Sequence, residues 1–136
     1  MDDGNDEVFF SGPSGFFVTI EQGEQVCWAY LVDSDMKVLA DVWLHNCQEA
    51  PDYLPWHRSS KPPFMNPKKF TVESEWAGRR IAIDTLVSVK WRTEPFVEAS
   101  IFYGAELVAI VAIGEKPGRC RFAAVDGPQA KVLTTV

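Results

Sequence analysis

The chain has 136 residues, 46% of them hydrophobic and 24% charged, and a formal net charge of −6. That length suits one domain, residues 1–136, whose core is large enough to fold without disulfides or a metal. The acidic balance argues against nucleic acid as the main partner, because phosphate binding needs a basic surface, and no run of 18 apolar residues exists to span a membrane.

Residues 1–12, MDDGNDEVFFSG, read as an acidic N-terminal segment without the basic start or long apolar stretch of a signal peptide. Alternation of period two begins at Gly15, where GFFVTIE sets Phe16, Val18 and Ile20 on one face. After the turn QGE, QVCWAYLV aligns Val26, Trp28, Tyr30 and Val32. Asp33-Ser34-Asp35 marks a turn, since Asp and Ser side chains bond their own backbone. KVLADVWLH then puts Val38, Ala40, Val42 and Leu44 on one side, with Leu39, Asp41, Trp43 and His45 on the other. Short turns between three such runs make an antiparallel meander.

The stretch from Asn46 to Lys69 holds five of the nine prolines (Pro51, Pro55, Pro62, Pro63 and Pro67) and reads as one long loop, a length that tends to be functional. A second meander follows. LVSVKWR aligns Val87, Val89 and Trp91; FVEASIFY aligns Val97, Ala99, Ile101 and Tyr103. ELVAIVAI (106–113) is apolar on both faces, the pattern of a central strand covered on both sides. The best helical signals are Gly118–Ala124 and the tail after Gly127-Pro128, through QAKVL. The expectation is a mainly β fold, with α+β as the alternative. Its two antiparallel three-strand meanders form a sandwich or one strongly curled sheet.

The segment from Asp41 to His57, DVWLHNCQEAPDYLPWH, has the residue types of a reactive site. His45 and Cys47 lie two apart, but no CxxC or HxxxH spacing completes a zinc site, so no metal is expected. Nothing around Cys27, Cys47 or Cys120 frames a nucleophile. An odd number of cysteines at irregular spacing reads as free thiols in a reducing cytoplasm. Asp33 and Asp35 form a solvated turn tip; residues 33–44 lack the glycine and closing glutamate of a calcium loop, and no phosphate-binding glycine motif occurs. The expectation is therefore no cofactor and no catalysis. Asp41 is the exception to watch, because a charge inside an aromatic-flanked strand must meet water, a partner or an internal donor.

Charge is unevenly spread. Residues 1–60 carry eleven acids against two bases, net −9, whereas residues 61–136 carry eight acids against eleven bases, net +3. One strongly negative face follows from that asymmetry. Within it, Glu21, Glu24, Asp33 and Asp35 are expected at hairpin tips, and Glu49, Asp52, Tyr53 and Trp56 in the proline-stiffened loop. Acidic residues beside aromatic anchors suit the capture of a basic protein. Alternatively, Trp56 and Phe64 close over the sheet as a lid.

DVWLHN (41–46), PFMNP (63–67), GEKPG (114–118) and DGPQAKVL (126–133) resemble segments of small bacterial immunity proteins, encoded beside polymorphic or secreted toxins. The resemblance implies a cytoplasmic inhibitor that binds and neutralises a cognate toxin domain. A nuclease toxin fits best, because an enzyme that holds phosphate is basic and an acidic face can occupy it. Two alternatives stand beside it: a small enzyme with a site near Asp41, His45 and Cys47, and a structural subunit that homodimerises through a sheet edge. The inhibitor itself would be a monomer or weak homodimer.

Overall fold

The computed structural model describes residues 6–52 and 64–134. Two sheets share one hydrophobic core. The first is a four-strand antiparallel meander of β1 (Asp6–Ser11), β2 (Phe17–Gln22), β3 (Val26–Val32) and β4 (Val38–Asn46), in that spatial order. The second contains β5 (Val87–Arg92), β6 (Glu98–Tyr103), β7 (Glu106–Ala112), β8 (Arg119–Cys120) and β9 (Lys131–Val132). The fold is thus a mainly β sandwich. All six strands read from period-two alternation are present.

Three features differ from the sequence expectation. The acidic N-terminal segment supplies a strand: Val8 and Phe10 alternate inward along β1, which pairs from Asp6↔Gln22 to Ser11↔Phe17. Gly118–Ala124 and the QAKVL tail are not helical. They contain β8 and β9, which pair in parallel with each other and extend the second sheet. The one α-helical turn described, Ile83–Leu86, comes just before β5 instead. β7 is central, as its composition suggests, but its outer face is only partly covered: Ala112 is buried, whereas Leu107 and Ile110 are partly exposed.

Val18 and Ile20 of β2, Cys27, Ala29 and Leu31 of β3, and Ala40 and Val42 of β4 meet Ala99, Ile101, Ala109 and Val111 between the sheets, all fully buried. The aligned set Trp28, Tyr30 and Val32 looks the other way. Trp28 and Tyr30 stack on the outer face, with ring centroids 6.3 Å apart. Gly118 seats β4 against the second sheet. A Cβ there would lie 2.7 Å from the Ile110 carbonyl oxygen and 3.3 Å from Val42. The free edge of β4 is covered as well, because Gly114 and Gly118 donate to the Leu39 and Asp41 carbonyls and Trp43 N–H donates to the Gln129 carbonyl.

A bulge in β4 decides where the histidine goes. Cys27 pairs with His45, yet Trp28 pairs with Trp43, so Leu44 is an extra residue. An added residue reverses the side-chain alternation beyond it. His45, expected on the side of Asp41 and Trp43, therefore turns into the core.

Candidate functional site

His45 is 1% exposed. Its Nδ1 lies 2.8 Å from the Tyr103 hydroxyl and its Nε2 lies 3.1 Å from the Arg79 carbonyl oxygen. A carbonyl only accepts, so Nε2 carries the proton and Nδ1 accepts from Tyr103. Burial pushes the imidazole down from its usual 6.5 to about 4, and the Arg79 charge adds to this against the opposing effect of the hydrogen bond. Cys27 Sγ lies 3.9 Å from the Tyr103 hydroxyl and Cys47 Sγ lies 3.8 Å from His45 Nε2. All three thiols are buried. Burial raises Cys47 and Cys120 to about 12 and Cys27 further still. At pH 7 a thiol of pKa 12 is thiolate in roughly one molecule in 10⁵, which leaves it inert as a nucleophile. Asp41 lies across from Tyr30 on the outer face, so the sheet separates it from His45. The three residues of the alternative enzymatic reading are not brought together. Among the described residues, no group of three or more His, Cys, Asp or Glu is placed to hold a metal ion.

The polar interior does structural work that residue type alone conceals. Gln22 pairs with both backbone groups of Ile81: its Nε2 donates to the Ile81 carbonyl and its Oε1 accepts from the Ile81 N–H, each at 2.8 Å. Asn46 treats Asn66 the same way, at 2.8 and 2.9 Å, and also accepts from Trp43 Nε1. Together with His45 on Arg79, these amides tie down the connection between the two sheets.

The outer face of the first sheet has a different character. β1, β2 and β3 place Glu7 opposite Glu21, and Phe9 opposite Thr19 opposite Tyr30, with Asp41 beyond on β4. Phe9, Phe17, Tyr30, Val32, Met36 and Val38 line an open groove of about 380 Å³, with Glu7 and Glu21 at one end. Phe9, Met36 and Val38 are 58%, 70% and 39% exposed, so three of the large exposed hydrophobics converge here. Met36 holds a left-handed backbone, φ +67°, in the turn after Asp33. Burial raises the Glu21 carboxyl, and the neighbouring Glu7 adds to the shift. Burial also raises Asp41, partly offset by Lys116.

On the outer face of the second sheet the carboxylate of Glu98 is matched by arginines. Glu98, 8% exposed, lies between Arg92 at 3.1 Å and Arg119 at 3.5 Å, and Arg119 also reaches Glu115. No ion pair among the described residues involves Glu7, Glu21 or Asp41. The first sheet thus has an apolar face whose carboxylates make no ion pair among the described residues.

Of the partner-binding residues expected from sequence, Glu21 lies within β2 on this face rather than at a hairpin tip. Asp33 and Asp35 sit at the groove's Met36 end. Asp33 Oδ1 accepts from the Asp35 and Lys37 amides, so Asp33 shapes the turn while Asp35 is exposed. Glu24 is exposed at the opposite end, where Cys47 N–H donates to the Gln25 carbonyl. Glu49 and Asp52 are exposed beyond it, and Glu49 lines a separate cleft of about 340 Å³ with Gln48, Ala50 and Thr71. The tips therefore do not form one patch. Tyr53 and Trp56 lie outside the described residues, as does the Trp56 half of the lid. The carbonyl of Phe64 does come down on the sheet, accepting from Trp28 Nε1 at 3.2 Å and Gln129 Nε2 at 2.9 Å.

Sequence reasoning missed Glu7, Phe9 and Phe17 because it left β1 unpaired. The signal was the alternation Val8, Phe10 against Glu7, Phe9, masked by the acids before it. In comparisons with known proteins, no family model matches the chain, no curated protein matches it, and no solved structure matches it.

Proposed function

We propose that this protein is a non-catalytic immunity protein that binds and neutralises a cognate toxin domain through the outer face of its first sheet. The observation that carries this reading is the open groove of Phe9, Phe17, Met36 and Val38, bordered by Glu7 and Glu21, which make no ion pair among the described residues. Exposed apolar area rimmed by charge is the usual composition of a protein interface. The buried, neutral His45 and inert thiols offer no competing chemistry in the neighbouring core.

Size limits how the partner sits. Four strands about 4.8 Å apart and six residues long at about 3.3 Å each give a face of roughly 400 Å². A stable complex buries about 800 Å² per partner. The contact therefore extends past the sheet, and the groove leads it towards Met36 and the exposed Asp35. A nuclease toxin suits this surface best, since its phosphate-binding site supplies the positive charge.

The function is tested by establishing whether the gene immediately upstream encodes a toxin domain and co-expressing that domain with this protein. Restored growth and a co-purifying complex are expected. Unrestored growth, with both proteins folded, would contradict the reading. The open edge of β1 keeps self-association as a second reading, and light scattering across concentrations decides it: a strictly monomeric protein removes it.

A further inference from the structure

Across β1 and β2, Glu7 and Glu21 stand directly opposite one another. Like charges at such positions destabilise a sheet, and a stability-driven sequence would place a lysine at one of them. No lysine or arginine of the described chain pairs with either, although Arg80 is close enough to bond Asp6 on the same strand. Glu7 is exposed, and the pair adjoins aromatic surface: Phe9, Phe17 and Tyr30 line the same groove. An unrelieved carboxylate pair beside aromatic rings is complementary to a cation with a weakly hydrated, flat apolar surface.

Resting on the reading of this face as the partner's seat, we propose that it recognises an arginine of the partner protein. The guanidinium lies between Glu7 and Glu21, and the residue beside it in the partner packs on Phe9, Tyr30 and Val38. Arginine fits better than lysine because its planar fork reaches two carboxylates at once and its face stacks on aromatic rings. The cation relieves the repulsion between the two carboxylates, and binding tightens as pH rises through the raised titration of Glu21. The other titratable groups on this face act in known directions. Tyr30 is raised to about 12 and stays neutral, and Asp41 across the sheet adds negative charge that also favours the cation.

The test needs no toxin. Argininamide is titrated into the isotope-labelled full chain and the backbone and carboxyl NMR resonances are followed, with lysinamide as comparison. Argininamide should shift Glu7, Thr19, Glu21 and Tyr30 first, binding more tightly than lysinamide, and affinity should fall at least tenfold in the double variant Glu7→Gln/Glu21→Gln. That variant loses a repulsion and keeps its packing, so it remains folded. Equal shifts at the exposed Glu24, Asp35 and Glu49, equal binding of lysinamide, or undiminished binding by the double variant would each overturn the proposal. If argininamide maps to the pair while growth is not restored, the face binds arginine but the partner is not the toxin. If growth is restored while argininamide fails, the toxin is gripped by other chemistry.

Discussion

Gln22 and Asn46 each make a side-chain amide behave like a neighbouring strand, presenting one donor and one acceptor to the backbone of a crossing segment. Truncating either leaves two backbone groups of the crossing segment unpaired, each costing about 1–3 kcal/mol where buried. Gln22→Ala and Asn46→Ala should each lower unfolding free energy by about 2–4 kcal/mol in urea titrations, a large part of a typical domain's stability. His45 adds a pH dependence. Its folded value, about 4, lies below the unfolded 6.5, so the unfolded chain binds a proton the native state refuses. Its contribution is fully present above pH 6.5 and is lost as pH falls towards 4, up to about 3 kcal/mol. Raised Glu21 and Asp41 work the other way, gaining stability as pH falls, but both are partly exposed and their effect is smaller. Urea midpoints measured from pH 7.5 to 4 should therefore fall, and His45→Gln should flatten the profile.

At the level of elements, the turn Asp33–Lys37 is where stability and the proposed recognition compete. Met36 occupies a backbone region that costs a side-chain-bearing residue about 1–2 kcal/mol, while exposing 70% of its surface. Met36→Gly should raise the melting temperature by a few degrees and weaken the toxin complex, the opposite signs separating the two roles. Asp33 caps the same turn, so its charge reversal would confound binding with folding, and Asp35→Lys is the cleaner probe. Six strands were legible because period-two alternation is a local signal. The bulge at Leu44 was not, and one extra residue sufficed to move His45 from the surface to the core. β8 and β9 have two residues each and exist through pairing with distant partners, which no local pattern records. Glu21 was legible as part of an acidic surface, but its role depends on Glu7, a residue visible as a neighbour only once β1 and β2 are paired.

Among the described residues, the two outer faces differ in charge: Arg–Glu pairs on the second sheet, carboxylates without an ion pair beside aromatic groups on the first. On the proposed function, a basic partner would be steered towards the first. Association with the toxin domain should slow several-fold between 20 and 200 mM salt, and Asp35→Lys should reduce that slope, in stopped-flow measurements. Face identity is the central claim, and one comparison of affinities tests it most directly. Val38→Arg and Ser88→Arg place the same side chain at exposed strand positions on the first and second sheets. Measured by calorimetry against the toxin domain, Val38→Arg should weaken binding at least a hundredfold and Ser88→Arg should leave it unchanged. A toxin that binds Val38→Arg as tightly as the unaltered protein, while losing affinity for Ser88→Arg, would contradict the account.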